Sequence, residues 1–172
     1  MCIIVDTNCL SSVFERNSDK HSEFEPVFEW IFTGKGKLIF GGSKYIEELE
    51  KTKKYLKIIN LLKNKGKAIN IDKDLVDKEQ KRIESLITNK DFDDPHLPAL
   101  VIISKCKLIC SQDTRSIKFV TNPQLYPKGI DIPKYYTSVN NIDLLCDKYI
   151  HDVYKPLKKL NRKEKEDIQK LL

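Results

Sequence analysis

Four places in the chain set a carboxylate where a strand should end or a helix should run: Asp6, Glu47-Glu48, Asp93-Asp94 and Asp113. Carboxylates gathered into one pocket repel one another, and desolvation sharpens the repulsion. Such a cluster is sensible only when a cation neutralises it. Hard oxygen donors call for Mg²⁺ or Mn²⁺, ions that keep water ligands and bridge to substrate phosphates. A site of this kind activates water and stabilises an in-line displacement at phosphorus. Taken singly, Asp6 would do no more than cap the next helix; the other acids delivered towards the same edge argue for chemistry. No glycine-rich phosphate cradle, GxSxG or HExxH pattern offers a different site.

The elements that must carry these acids alternate between helix and strand. Ile3-Ile4-Val5 is a short apolar run that fits a strand buried on both faces, and it ends at Asp6. Cys9, Leu10, Val13 and Phe14 then repeat at helical spacing to about Arg16, and a polar break follows. Phe24, Val27, Phe28, Ile31 and Phe32 form a second helical stripe, closed by the Gly34–Gly36 turn. These aromatics follow the buried-face period, which makes them core and not a base-stacking surface. Leu38-Ile39-Phe40 is the next strand, and Ser43 opens a long lysine-rich helix expected to reach about Lys63.

A third strand at Ala68–Ile71 precedes a helix capped by Asp72 or Asp74, with Leu75, Val76, Ile83, Leu86 and Ile87 as its stripe. Leu97–Ile103 is apolar nearly all round, hence a buried helix. Leu108-Ile109-Cys110 is a strand that ends at Ser111-Gln112-Asp113, as the first ends at Asp6. Tyr135–Thr137 is expected as an edge strand and Ile142–Val153 as a helix. The pattern predicts an α/β protein with a mainly parallel sheet. Residues 1–154 form the domain, and a basic, partly amphipathic helical extension covers 155–172, started by a capping box of Asn161 and Glu164.

A chain of 172 residues allows one domain with a real core. No apolar run is long enough to cross a membrane, and no basic stretch with an apolar core marks a signal peptide. The five cysteines match no zinc or CxxC spacing and are expected as reduced, buried thiols in a cytoplasmic protein. The net charge of +6 is almost all lysine, since only Arg16, Arg82, Arg115 and Arg162 are arginines. Lysine gives a sequence-tolerant hold on phosphates, or simply a solvated surface. Lys44 and Arg115 are the candidate substrate contacts.

Four segments together resemble the PIN-domain nucleases, the family that includes the toxin ribonucleases of bacterial toxin–antitoxin pairs. They are Ile3-Ile4-Val5-Asp6-Thr7-Asn8, Ile46-Glu47-Glu48-Leu49, Asp94-Pro95-His96-Leu97-Pro98-Ala99-Leu100, and Leu108-Ile109-Cys110-Ser111-Gln112-Asp113. They cover roughly the first two-thirds of the chain in the family's order. The resemblance implies a three-layer fold and a metal-dependent endonuclease acting on RNA. It carries over Asp6, Glu48, Asp94 and Asp113 as ligands of Mg²⁺ or Mn²⁺, with Asn8 and Ser111 in support. Pro98, soon after Pro95, leaves Asp93 as the alternative to Asp94. His96 is expected to pack or orient its neighbour, not to act as a base. Implied partners are RNA, an inhibitory antitoxin and a second copy of the chain.

On a helical wheel, Glu48 falls beside the buried stripe of Tyr45, Leu49, Leu56 and Ile59, while Glu47 falls opposite it. Glu48 is therefore the expected ligand. The competing classes are a catalytically inactive RNA-binding or assembly module of the same fold, a nuclease for single-stranded DNA, and a receiver or aspartate phosphatase on a similar sheet. The phosphatases want a second aspartate two residues after the first, where Asn8 stands.

Overall fold

Each of the five expected strands lies in one sheet. The computed structural model describes residues 2–87, 89–146, 152–155 and 157–171. The strands are β1 (Cys2–Val5), β2 (Lys37–Gly41), β3 (Ala68–Ile71), β4 (Leu108–Cys110) and β5 (Lys134–Tyr136). They lie in the order β3-β2-β1-β4-β5, and each neighbouring pair is parallel. Helices flank the sheet: α1 (Leu10–Phe14), α2 (His21–Phe32), α3 (Ser43–Glu50), α4 (Lys53–Asn64), α5 (Lys73–Leu86), α6 (His96–Ser104) and α7 (Thr114–Val120). This is the α/β, PIN-like layering expected from the sequence, with helix α8 (Arg162–Gln169) added at the end. No helix among the described residues is long and apolar enough to cross a membrane.

Cys2 to Val5 and Leu108 to Cys110 are buried throughout, as strands covered on both faces must be. The chain winds outward from β1 to β2 and β3, then returns to the other side of β1 to lay down β4 and β5. The winding reverses between β1 and β4. In open parallel sheets, ligands bind beyond the carboxyl ends of the strands at such a reversal. Asp6 and Ser111 follow those two strand ends directly.

The turn from β2 into α3 needs glycine. Gly42 has φ 79°, and a Cβ there would stand 2.6 Å from Val76 Cγ1 on α5. That close packing brings α3 down over the sheet, where the Tyr45 hydroxyl donates to the Val5 carbonyl.

Three expectations change. The long helix from Ser43 is broken into α3 and α4 at Lys51-Thr52. Thr52 takes φ −123° and ψ 72°, and both its amide and its hydroxyl turn back to the Leu49 carbonyl (3.0 and 3.3 Å). A threonine that bonds its local backbone competes with helix continuation. In α5, Leu75 and Leu86 are exposed (53% and 54%), because Val76 and Ile83 already hold the buried line and a neighbour points about 100° away. Of the helix expected at Ile142–Val153, residues 147–151 lie outside the described residues; the rest forms 3₁₀ turns at Val139–Leu144 and Asp152–Tyr154. There the Asn141 side chain accepts from the Thr137 amide and hydroxyl, and its own backbone leaves helical geometry.

The described part of the tail lies against its own chain. The capping box forms, with Glu164 N to Asn161 Oδ1 at 2.9 Å and Asn161 N to Glu164 Oε2 at 3.0 Å. Leu160 and Ile168 are buried, and Lys65 pairs with Asp167 at 3.2 Å. Lys67, with no exposed surface, donates from Nζ to the carbonyls of Gly34 and Lys158. Burial, with Lys37 and Lys158 nearby, pushes its pKa down to about 8. Ile168→Ala should therefore lower the unfolding free energy by about 2–4 kcal/mol, the cost of emptying a core site. Urea denaturation reads this directly; an unchanged midpoint would mean that the tail is free of the body in solution.

Candidate metal centre

Asp6 stands at the end of β1 with its amide bonded to the Cys110 carbonyl (2.9 Å), and its carboxylate is buried. Ser111 Oγ and Asn8 Nδ2 both donate to its Oδ2 at 2.7 Å. Burial pushes its pKa up, the bonds from Ser111 and Asn8 work against that, and the Glu48 charge adds to it. Asn8 also stretches towards Ser111 Oγ (3.4 Å), and its Oδ1 accepts from the Gln112 amide (3.3 Å). The two residues thus tie the ends of β1 and β4 together around one carboxylate.

Glu48 reaches this edge because Tyr45, three residues earlier, is anchored on Val5. Its Oε2 accepts from Thr7 Oγ1 at 2.7 Å, and its Oε1 lies 3.6 Å from Lys44 Nζ. Glu47 points elsewhere: it is exposed and lines a shallow depression with Ser43, Lys44 and Asp77. The wheel's phase holds as far as Leu49, beyond which the break at Thr52 makes it irrelevant.

Asp94 enters from the loop before α6. Pro95 caps that helix and Pro98 sits in its first turn, where no intrahelical donor is missed. Asp94 is half-buried, and its pKa is pushed up to about 7, first by burial and then by Asp6, Asp93, Glu48 and Asp113. Asp93 is exposed yet belongs to the same group. One carboxylate oxygen from each of Asp93, Asp94 and Asp113 lies within 4.8 Å of the others. Asp6 and Glu48 stand outside that tightest group. The geometry therefore brings in Asp93 as fully as Asp94.

Asp113, after β4, accepts from the Arg115 amide (2.9 Å) and from both ends of its guanidinium fork (3.0 Å each). That pairing holds its carboxyl below the usual range. The cluster is thus capped at one side by Lys44 on Glu48 and at the other by Arg115 on Asp113. Asp6, Asp93 and Asp94, between them, make no ion pair among the described residues.

Of the neighbours of these acids, Thr7 and Tyr135 were not foreseen as part of the site. Thr7, given no role of its own in the sequence, holds Glu48; its signal was a hydroxyl directly after a strand-end acid. Tyr135 on β5 feels the charges of Asp6, Asp94 and Asp113, which with burial push its pKa up. Its hydroxyl makes no hydrogen bond of proper geometry, and nearby Ser116 is turned to the Asp113 carbonyl (2.9 Å). His96 is buried with both ring nitrogens unbonded, and its ring meets Tyr45 edge-on at 6.4 Å. Burial lowers its pKa to about 4, so it packs as a neutral ring.

The donor set fits a hard divalent ion: all oxygen, mostly carboxylate, with more negative charge than the two flanking cations offset. No protein-family model, curated protein or solved structure matches the chain.

Proposed function

We propose that the protein is a divalent-metal-dependent endoribonuclease of the PIN type, with Asp6, Glu48, Asp94 and Asp113 as its acids and Asp93 joining them. One observation carries this: acids from four separate elements converge at the reversal point of a parallel sheet without enough cations among them. Asp93, Asp94 and Asp113 would hold Mg²⁺ or Mn²⁺, with Asp6 and Glu48 binding it directly or through its waters. The ion would supply an acidified water and positive charge against the phosphate.

The chain's own residues do the rest. Ser111 and Asn8 fix Asp6 in one orientation and leave its Oδ1 with only a long contact from the Asn8 amide (3.5 Å). Thr7 does the same for Glu48. Asp94, pressed towards its protonated form by burial and the neighbouring acids, would release that proton on binding the ion that it helps to hold. Lys44 and Arg115 already bear on acids of the cluster, so they stand where a phosphate would meet positive charge.

Within this proposal the protein works on RNA in the cytoplasm. A neighbouring gene for a small DNA-binding inhibitor would make it the toxin of a toxin–antitoxin pair. The test is cleavage of single-stranded RNA by purified protein, present with Mn²⁺ and gone with a chelator. In a Mn²⁺ titration, Glu48→Gln should raise the metal requirement at least tenfold, while Glu47→Gln should match wild type. Chelator-resistant cleavage, or the reverse ranking of the two variants, would sink the assignment.

A further inference from the structure

Beside the acids opens a cavity of about 400 Å³ between the 89–94 loop and α7, lined by Lys90, Asp91, Asp93, Arg115, Lys118 and Phe119. It is continuous with the candidate metal centre: Asp93 belongs to both, and Arg115 reaches from the lining to Asp113. Away from the acids its character turns basic and aromatic. Lys90 and Lys118 make no ion pair among the described residues, and the Lys118 ammonium is held only by the face of the Phe119 ring. Phe119 is half-buried and stacks on Phe92, with centroids 5.3 Å apart and planes 27° apart. Phe92 is itself buried, which makes the pair a backed, rigid platform. Lys118 Nζ rests over the Phe119 ring at 4.7 Å, so a group at about stacking distance is already accommodated there.

Aromatic platforms with free lysines at their rim are how proteins hold single-stranded nucleic acid without reading sequence. Bases in a duplex present no free face to such a ring. We infer that this cavity seats the nucleotide adjoining the scissile phosphate of a single-stranded RNA, its base on Phe119 and its phosphates against Lys90 and Lys118. The inference rests on the nuclease assignment and gives its substrate a direction, out over α7. Lys118 has a long, flexible stem, so its ammonium can leave the ring for a phosphate as the base arrives. Asp93, which belongs to the acid cluster, repels phosphate and confines it to the lysines.

The experiment is fluorescence anisotropy of a short labelled single-stranded RNA in chelator, where binding is read without cleavage. Lys90→Gln with Lys118→Gln should weaken binding about tenfold. It should also flatten the slope of log affinity against log salt by about 1.4, at roughly 0.7 per lost phosphate contact. Phe119→Leu keeps bulk against Phe92 but loses the π face, and should cost roughly five- to a hundredfold. Mn²⁺ affinity, followed by electron paramagnetic resonance, should stay at the wild-type value in these variants, as their cluster is untouched. If both variants bind RNA as wild type does, the cavity is no subsite, although metal-dependent cleavage would leave the nuclease assignment standing. If binding depends on these residues but wild type never cleaves, the subsite survives and the nuclease assignment falls. RNA that does not bind wild type at all overturns both.

Discussion

Asp6→Asn should reduce RNA cleavage at saturating Mn²⁺ by at least about a thousandfold, roughly 4 kcal/mol of activation free energy, while the protein stays folded. The asymmetry follows from the bonds around this carboxylate. Ser111 Oγ and Asn8 Nδ2 both address Oδ2. An asparagine with its oxygen in that place keeps both donors satisfied. What disappears is a buried negative charge that Glu48 and Asp94 already oppose. Urea unfolding should therefore show stability equal to wild type or up to ~1 kcal/mol higher, since a disfavoured charge has been removed. Catalysis has no such substitute, because a neutral amide neither draws a divalent ion nor offsets its charge. Activity within tenfold of wild type would remove Asp6 from the chemistry. A large loss of stability would mean that its charge holds the fold, and the proposed division of labour would be wrong.

Heated in chelator, the protein should melt at a lower temperature at pH 8 than at pH 5.5, the reverse of what most carboxylate-rich proteins do. The sign comes from Asp94, whose folded pKa of about 7 lies above its ordinary value of 3.8. Between those values the folded protein holds a proton that the unfolded chain has released. Its contribution is complete below about pH 4 and is lost as pH rises through about 7. The full shift would be worth about 4 kcal/mol. Asp94 is half-exposed to solvent, so about 2 kcal/mol is the better expectation. Asp6 is shifted the same way. Glu15, Asp113 and Glu164 are held low by their partners and act oppositely, their stabilisation vanishing only as pH falls below the normal carboxylate range. Mn²⁺ should erase the alkaline loss. At a hundred times its dissociation constant it adds about 2.7 kcal/mol at pH 8, and much less at pH 5.5, where protons compete for the same oxygens. Differential scanning calorimetry at both pH values, with and without Mn²⁺, checks the sign. A chelated protein more stable at pH 8, with no Mn²⁺ effect, would mean that the acids are not crowded in solution.

The frame of the site was legible because it rests on burial and periodicity. Ile3-Ile4-Val5 and Leu108-Ile109-Cys110 could only be buried strands, and parallel strands put their terminal acids on one edge. The two-residue choice at Glu47-Glu48 was decided by the phase of a single helical turn, which Tyr45 and Leu49 define without help from the rest of the chain. What was not legible depends on bonds between residues far apart or on backbone choices of polar residues. Thr52 ends a helix whose apolar pattern runs straight through it, because its hydroxyl prefers Leu49's carbonyl. The exposure of Leu75 and Leu86 follows from how α5 is rotated against α6 and α3, which no local pattern states. The entry of Asp93 into the tightest acid group depends on a loop conformation. The tail's apolar pattern announced that something must cover it, but only tertiary packing says that the chain itself covers Leu160 and Ile168.

The central position of β1 makes the proposed site depend on residues far along the chain. The strand that carries Asp6 leaves the ribosome well before β4, yet its carboxylate is held by Ser111, 105 residues later. Until β4 emerges and pairs, one flank of β1 has no partner, and Asp113 cannot join the acids. Long-range parallel pairing is also slow compared with helix formation. A nascent or prematurely terminated chain would therefore carry most of the acids and none of the assembled site. For an enzyme proposed to cut RNA, that order of assembly would spare the message from which it is being translated.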